Sequence, residues 1–112
     1  MKLITNITDE AAQQHTILFA DDEITLRILF HPFNQMWTID VTYKGKSRYG
    51  VKLAVNTLHL RSENYPFDFY VADTSDSGLD PVRREDFELG RCQLYMLEPD
   101  DMQDIRGQDV QI

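Results

Sequence analysis

Two aspartates and the three histidines are the residues of this sequence best suited to catalysis. Asp40 and Asp68 each fall on the polar side of an alternating segment, and carboxylates held side by side can act as general acid and general base. His15, His31 and His59 are too widely separated to form a His-x-x-x-His pair, so only the fold could assemble a zinc site from them. A hydrolase or metal-dependent enzyme therefore requires Asp40, Asp68 and a histidine to converge.

A group of loop carboxylates offers a second kind of chemistry, which is calcium binding. Asp73, Asp76 and Asp80 lie close together in a polar segment, and carboxylate oxygens are the ligands that calcium prefers. Their spacing differs from that of an EF-hand loop, which also needs a glycine at its centre and a glutamate at its end. The spacing favours a solvated turn.

Nucleophilic catalysis has little support in the sequence. The single cysteine, Cys92, cannot form an internal disulfide and falls on an apolar segment, which is typical of a small, buried and inert side chain. No serine occupies a Gly-x-Ser-x-Gly turn, and no glycine-rich loop precedes a lysine. The sequence thus predicts no catalytic residue, no cofactor and no metal site.

The elements that would position these residues are β-strands. Trp37, Ile39, Val41 and Tyr43 alternate with polar residues, which is the pattern of a strand with one buried face. Pro32 and Gly45 mark turns on either side. The same period predicts six short strands, at 15–19, 23–30, 37–44, 49–55, 67–71 and 91–97, with one helical turn at 81–88 capped by Asp80.

This order of elements predicts an all-β protein. We expect a small antiparallel β-barrel or sandwich of about six strands. Residues 1–98 form a single β domain, and residues 99–112 form an irregular acidic C-terminal tail that orders when something docks it.

Charge is distributed unevenly along the chain. The 19 acidic and 11 basic residues give a net charge of −8, which disfavours specific binding to nucleic acid phosphates. Eleven acidic residues and four basic residues follow Ala72, so nearly all of the excess lies there. In a ring around a conduit, these acidic residues would repel DNA and keep it from adhering as it slides. A solvated acidic surface is the simpler interpretation.

The basic residues gather at one predicted hairpin. Lys44, Lys46, Arg48 and Lys52 are interleaved with tyrosines, an arrangement that can bind single-stranded nucleic acid. Lysines also protect the edge of a sheet from stray pairing. In an acidic chain, edge protection or a protein contact is the favoured interpretation.

No segment of the sequence is suited to a membrane. There is no apolar run of the length that a spanning helix needs, and the apolar run at the N-terminus is too short for a secretory signal. These features predict a cytoplasmic protein.

The middle of the chain resembles the phage baseplate plug family. The resemblance rests on four segments in a fixed order. The first is a strand, Ile24-Thr25-Leu26-Arg27, and the second is an aromatic strand that ends in Asp-Val, Asn34-Gln35-Met36-Trp37-Thr38-Ile39-Asp40-Val41. A glycine turn, Lys44-Gly45-Lys46, and a Gly-Val-x-Leu strand entry, Gly50-Val51-Lys52-Leu53, follow. The resemblance extends more weakly to Arg91-Cys92-Gln93-Leu94-Tyr95. The family implies a small β-barrel related to tail-tube folds, without catalytic residues. It also implies a place in the baseplate near the hub, in a virion assembled in the host cytoplasm.

Both lines of argument predict a structural component that acts by protein–protein assembly. Its expected partners are tail-tube and baseplate hub proteins, and further copies of itself in a ring. A stand-alone β-barrel that binds a ligand or peptide is the alternative, and it predicts an enclosed apolar pocket. The predicted partner-binding residues are Phe33, Trp37, Tyr65, Phe67 and Tyr70. Trp37 also fits the core, because it alternates with Ile39 and Val41.

Overall fold

Two antiparallel β-sheets make up the computed structural model, which describes residues 1–60 and 65–101. One sheet has four strands in the order β2-β3-β4-β5, and the other has three in the order β1-β7-β6. The strands are β1 (Lys2–Leu3), β2 (Ala12–Phe19), β3 (Asp22–His31), β4 (Met36–Tyr43), β5 (Lys46–Lys52), β6 (Asp68–Asp73) and β7 (Cys92–Leu97).

The four-stranded sheet is a meander joined by tight turns. Phe19 pairs with Asp22, and Tyr43 pairs with Lys46, so each of these two hairpins has a two-residue connection. Both connections, Ala20-Asp21 and Lys44-Gly45, have positive φ at both positions. Such turns match the right-handed twist of the strands they join, which fixes the register of the sheet.

The three-stranded sheet is completed along β6 by the segment 53–60. Val55 forms an isolated parallel bridge with Val71 of β6, and the Asn56 N–H donates to the Val71 carbonyl at 3.0 Å. Leu53, the first residue after β5, donates its N–H to the Trp37 carbonyl of the other sheet at 2.9 Å. This segment therefore ties the two sheets together.

The core lies between the sheets and is aromatic at its centre. Phe67 packs its ring 5.1 Å from Tyr43, 5.4 Å from Phe19 and 5.8 Å from Phe69, measured between ring centroids. Apolar side chains from both sheets are fully buried around it, including Ile24, Leu26, Ile28, Ile39, Val41, Val71 and Leu94. Burial of these side chains is the main source of stability in a chain without a disulfide.

The predicted fold class is confirmed, because the protein is an all-β, open, sandwich-like pair of antiparallel sheets. The strand β1 was absent from the prediction, since two residues are too short to show a period. The strand β2 begins at Ala12, three residues before its predicted start. Its first half is polar and partly exposed, so the hydrophobic pattern does not mark it.

The prediction of one strand over 49–55 was wrong at both ends. The strand β5 ends at Lys52, and Leu53 and Val55 lie beyond it. Ile39 pairs with Val51, whereas Val41 pairs with Arg48, so one extra residue is inserted into β5 opposite Asp40. This bulge interrupts the alternation. Tyr49 is consequently 72% exposed instead of sharing the buried face of Val51.

Consecutive turns replace the predicted helical turn at 81–88. The Leu89 N–H donates to the Glu85 carbonyl at 2.9 Å, but the Asp86 and Gly90 N–H groups bond three residues back. The predicted cap was wrong, since a carboxylate oxygen of Asp80 accepts from the Val55 N–H at 3.0 Å. The Asp86 carboxylate accepts from Val82 and Arg83 instead.

Of the predicted irregular acidic tail, residues 99–101 are described and are helical, which differs from the prediction, and residues 102–112 lie outside the described part of the chain. The division into a 1–98 domain and a tail stays a prediction. Within the described residues, none of the helical structure is long and apolar enough to cross a bilayer.

Candidate functional site

The two carboxylates predicted for acid–base chemistry have structural roles. Asp40 lies in β4 and accepts a hydrogen bond from the Gly50 N–H at the bulge, at 2.8 Å. Asp68 lies in β6 of the other sheet, and one of its oxygens accepts from the N–H groups of His59, Leu60 and Phe69 at 2.7–2.8 Å. Its side chain therefore fastens the 53–60 segment to β6.

The ring of His59 is fixed by two backbone groups. Its Nε2 accepts from the Ala54 N–H at 2.9 Å, and its Nδ1 lies 2.7 Å from the Phe69 carbonyl oxygen. Because a backbone N–H can only donate and a carbonyl can only accept, the ring carries its proton on Nδ1. Both ring nitrogens of His59 are thus used in hydrogen bonds to the backbone that stabilise the fold.

The other two histidines lie in the four-stranded sheet and bond to neighbouring polar side chains. His31 Nε2 is 2.8 Å from the Thr38 hydroxyl, and His15 Nε2 is 3.0 Å from the Gln13 side-chain oxygen. Partial burial lowers the pKa of His15. Over the part of the chain that the structure describes, no three His, Cys, Asp or Glu side chains are grouped so as to hold a metal ion.

Both carboxylate oxygens of Asp73, a residue considered for calcium binding, accept hydrogen bonds from its own loop. It accepts from the Ser75 hydroxyl at 2.7 Å, the Ser77 hydroxyl at 2.6 Å, and the N–H groups of Ser75 and Gly78 at 2.9 and 2.7 Å. These hydrogen bonds, led by those of the Ser75 and Ser77 hydroxyls, lower the pKa of Asp73 far below its usual value. Asp73 thus closes the turn that follows β6.

Arg91 is the centre of a polar cluster that the sequence analysis missed. Its guanidinium donates to both oxygens of Asp86, at 2.9 and 2.8 Å, and to the carbonyls of Asp80 and Leu79, at 2.8 and 3.1 Å. It also reaches the Ser77 hydroxyl, at 3.2 Å. The Arg91 side chain, at the end of the loop between β6 and β7, therefore holds several parts of this loop together.

Asp86 is buried and carries a charge that the cluster compensates. Burial alone would raise the pKa of Asp86, but hydrogen bonds from Arg91 and from the N–H groups of Arg83 and Val82 hold it below the usual value. Among the described residues, no buried side-chain nitrogen or oxygen lacks a hydrogen-bond partner. Part of the acidic excess after Ala72 is accordingly internal to the fold.

This loop also closes one end of the sandwich. The Trp37 indole N–H donates to the Arg83 carbonyl at 3.0 Å, and the Phe87 ring meets the Trp37 ring edge-on at 5.4 Å. Arg84 Nε donates to the Asp9 carbonyl at 2.6 Å, which joins the loop to the segment before β2. Cys92, the first residue of β7, is buried, and desolvation raises the pKa of its thiol to about 11.

The five predicted partner-binding residues fall into three environments. Trp37 and Phe67 are fully buried in the core. Tyr65 and Tyr70 are half-buried, with the Tyr65 ring 5.5 Å from Phe67 and the Tyr70 hydroxyl donating to the Asn56 side chain at 2.8 Å. Phe33 is fully exposed at the turn between β3 and β4. The partner-binding role of all five stays a prediction.

Other exposed apolar side chains were missed in the sequence. Tyr49 and Leu18 are 72% and 66% exposed, and Leu79 and Leu89 project from the loop between β6 and β7. For Leu18, its position next to the turn at Ala20-Asp21 was the available signal. The two loop leucines have no periodic context that would have marked them as exposed.

The described surface is thus that of an all-β module whose polar clusters serve the fold and whose turns carry exposed apolar side chains. Exposed apolar side chains of this kind are typical of proteins that act by assembly with others. Residues 1–99 match the family model described as "Cyanophage baseplate Pam3 plug gp18", and the chain belongs to this family. No match was found among curated proteins. The protein is therefore a structural component of a phage baseplate, in contact with other tail proteins of the virion.

Proposed function

We propose that this protein is an assembly component placed near the hub, where the tail tube begins, and that the β3–β4 turn is its main docking element. The observation that carries the proposal is Phe33, which is fully exposed at the tip of this hairpin. Burying a phenylalanine side chain contributes roughly 1.5–3 kcal/mol. An exposed aromatic residue at a protruding turn is the type of anchor that dominates protein interfaces.

The hairpin holds Phe33 in a defined position. His31 pairs with Met36 across the turn, and the His31 ring bonds to the Thr38 hydroxyl at 2.8 Å. Pro32 fixes its own φ, and Gln35 closes the turn with a φ of 49°. A side chain presented on a constrained turn loses little conformational entropy on binding, which increases the affinity that its burial provides.

Two further contact points are expected at Tyr65 and Tyr70, which are half-buried and pack against different clusters, Tyr65 against the core and Tyr70 against Leu58 and Leu97. Phe67 supports Tyr65 from within the core, whereas Trp37 is buried against Phe30 and Phe87. In a ring of copies, the exposed acidic residues after Ala72 would occupy equivalent positions in every copy. Asp76, Glu85 and Glu88 are the exposed acidic residues of the β6–β7 loop that could face a DNA conduit.

Size exclusion with light scattering tests the proposal. The chain is measured alone and after mixing with the tail-tube and hub proteins of the same phage, and we expect a defined complex with one of them. Phe33→Ala should weaken that complex about 10- to 100-fold without changing the melting temperature. Tyr49→Ala, which removes a largely exposed aromatic side chain from β5, is the matched control. Wild-type affinity for Phe33→Ala would exclude the docking role of the hairpin.

The charge on the loop needs a separate test in assembled particles. Replacing Asp76, Glu85 and Glu88 by lysine should slow DNA ejection if these residues face the conduit, since the lysines would bind phosphate. Replacement of three exposed acidic residues elsewhere, Glu10, Asp21 and Glu23, by lysine makes the same change in net charge and is the control. Ejection at the wild-type rate would place the three loop acids away from the DNA.

The alternative, a stand-alone binding module, has less support. The space between the sheets, where a ligand would be enclosed, is occupied by the rings of Phe19, Tyr43, Phe67 and Phe69. A chain that stays a monomer in the presence of both tail proteins would bring this alternative forward.

A further inference from the structure

The open edges of the two sheets face each other across a groove. One wall is the N-terminal segment from Lys2 to Asn6, and the other is the part of β2 from His15 to Leu18. The groove has a volume of about 350 Å³. It lies where β1 ends one sheet and β2 ends the other, so it separates the two edges that would have to join for the sandwich to become a closed barrel.

The groove has the features of a site for an added strand. Among the described residues, β1 pairs with β7 alone and β2 pairs with β3 alone, which leaves the outer backbone groups of both strands without a strand partner. Leu3 and Leu18 are 40% and 66% exposed at the rims, above the buried Ile4 and Ile17. An unpaired sheet edge beside exposed apolar side chains is a template for another extended segment.

The described chain ends next to this groove. The Met1 ammonium group lies 3.0 Å from an Asp101 carboxylate oxygen, and a smaller cavity is lined by Met1, Lys2, Glu98 and Asp101. The eleven residues that follow Asp101 could span up to about 36 Å when extended. The five-residue wall of the groove requires about 17 Å. The length of the remaining chain is therefore sufficient.

The sequence after Asp101 also suits the site. Val110 and Ile112 alternate with Gln111, which is the pattern of a strand with one apolar face. Asp104 and Asp109 outnumber the single basic residue of the segment, Arg106, whereas the groove is lined by Lys2. Alternating apolar residues and opposite charge both favour the same pairing.

We propose that residues 102–112 bind in the groove between β1 and β2 of their own chain as an added strand. A tether that starts beside the site gives the segment an effective concentration in the millimolar range, which favours the same chain over a second copy. Binding would pair the free edges and cover Leu3 and Leu18. The protein would then present a continuous wall on this side.

Hydrogen exchange measured by mass spectrometry tests this proposal on the untagged full chain and on a variant ending at Asp101. Truncation should accelerate exchange of the Leu3–Asn6 and His15–Leu18 amides about tenfold or more, while the β4 amides stay unchanged. Adding a peptide of residues 102–112 in excess should restore the protection. Equal exchange in the two proteins at the groove amides would overturn the proposal.

Two substitutions keep the test independent of the truncation. Leu18→Asp places a charge at the rim of the groove, and it should reproduce the faster exchange of Leu3–Asn6. Leu89→Asp, at a side chain that is 77% exposed on the β6–β7 loop, should not. Both side chains are largely exposed, so both variants should fold. Protection that increases with protein concentration, together with a dimer mass, would assign the groove to a second copy and contradict the proposal.

Discussion

The guanidinium of Arg91 holds the Asp86 carboxylate in a two-bond fork, with Nε to Oδ1 at 2.9 Å and Nη2 to Oδ2 at 2.8 Å. The Asp86 side chain is 4% exposed and that of Arg91 is 21% exposed, so the pair is shielded from solvent on the carboxylate side. The remaining donors of Arg91 hold the loop between β6 and β7. This pair is the point at which the stability of the loop can be tested.

Replacement of Arg91 should destabilise the protein substantially. Arg91→Ala leaves the Asp86 carboxylate buried without its counter-charge, and we expect the free energy of unfolding to fall by about 3 kcal/mol. The free energy of unfolding of Arg91→Lys should lie between those of the wild type and Arg91→Ala, because lysine keeps the charge but lacks the planar fork. Urea denaturation provides the measurement. Arg83→Ala, an exposed side chain in the same loop, is the control and should lie within about 0.5 kcal/mol of the wild type.

The same pair predicts how stability depends on acid. The folded-state pKa of Asp86 is lowered, so its contribution is complete above the unfolded value of about 3.9 and is lost as pH falls through the lower folded value. Wild-type stability should therefore decrease between about pH 5 and pH 2. Asp86→Asn should be less stable at neutral pH and should decline less over that interval. Parallel pH profiles for the two proteins would contradict this assignment.

Trp37 should act through the fold and not through an accessible surface. Trp37→Phe retains a ring against Phe87 but leaves the Arg83 carbonyl without its donor, which should cost about 1–3 kcal/mol. Phe33→Ala should leave the stability unchanged, because Phe33 makes no buried contact. Thermal unfolding of the two variants distinguishes the roles. A stable Trp37→Phe protein would show that the indole bond contributes little.

The bulge at Gly50 makes a further prediction. Gly50 has a φ of 68°, and a Cβ there would meet no atom within 4 Å, so the cost of Gly50→Ala is that of the backbone alone. We expect roughly 1–2 kcal/mol. Asp40→Ala should cost about 1 kcal/mol through loss of the bond to the Gly50 N–H, whereas Asp40→Asn should be milder, since it keeps an acceptor oxygen. Denaturation curves that rank these three differently would exclude the proposed role of Asp40.

The strands with a clean period of two could be predicted from the sequence. The alternation of Trp37, Ile39 and Val41 fixes β4 and its buried face, and the glycine turn marks the hairpin that leads into β5, whose start at Lys46 lies three residues before the predicted one. The outward orientation of Tyr49 could not be predicted in this way, because one inserted residue reverses every side chain after it. A positive φ at Gly50 is the physical cause, and glycine in the sequence is compatible with it without requiring it.

The polar clusters could not be predicted from the sequence, for a different reason. Asp68 and Asp86 have the same side chain as the exposed Asp76, and the sequence does not indicate which carboxylates the fold will surround with N–H donors. His59 and Asp68 are nine residues apart, and Arg91 and Asp73 are eighteen apart. These distances close only when β6 pairs with β7 and the 53–60 segment lies along β6. Charge counting therefore assigned to the surface several acidic residues that the fold holds inside.

The hydrogen bonds inside the β6–β7 loop affect which of its positions can change in sequence. Arg91, Asp73 and Asp86 set the shape of the loop from within, so its outward side chains, among them Leu79, Glu85, Glu88 and Leu89, carry no part of that task. Substitutions at those positions should change what the loop presents without changing its path. In related phages, the same frame could present different surfaces and so follow changes in its neighbours while the sandwich beneath it stays constant.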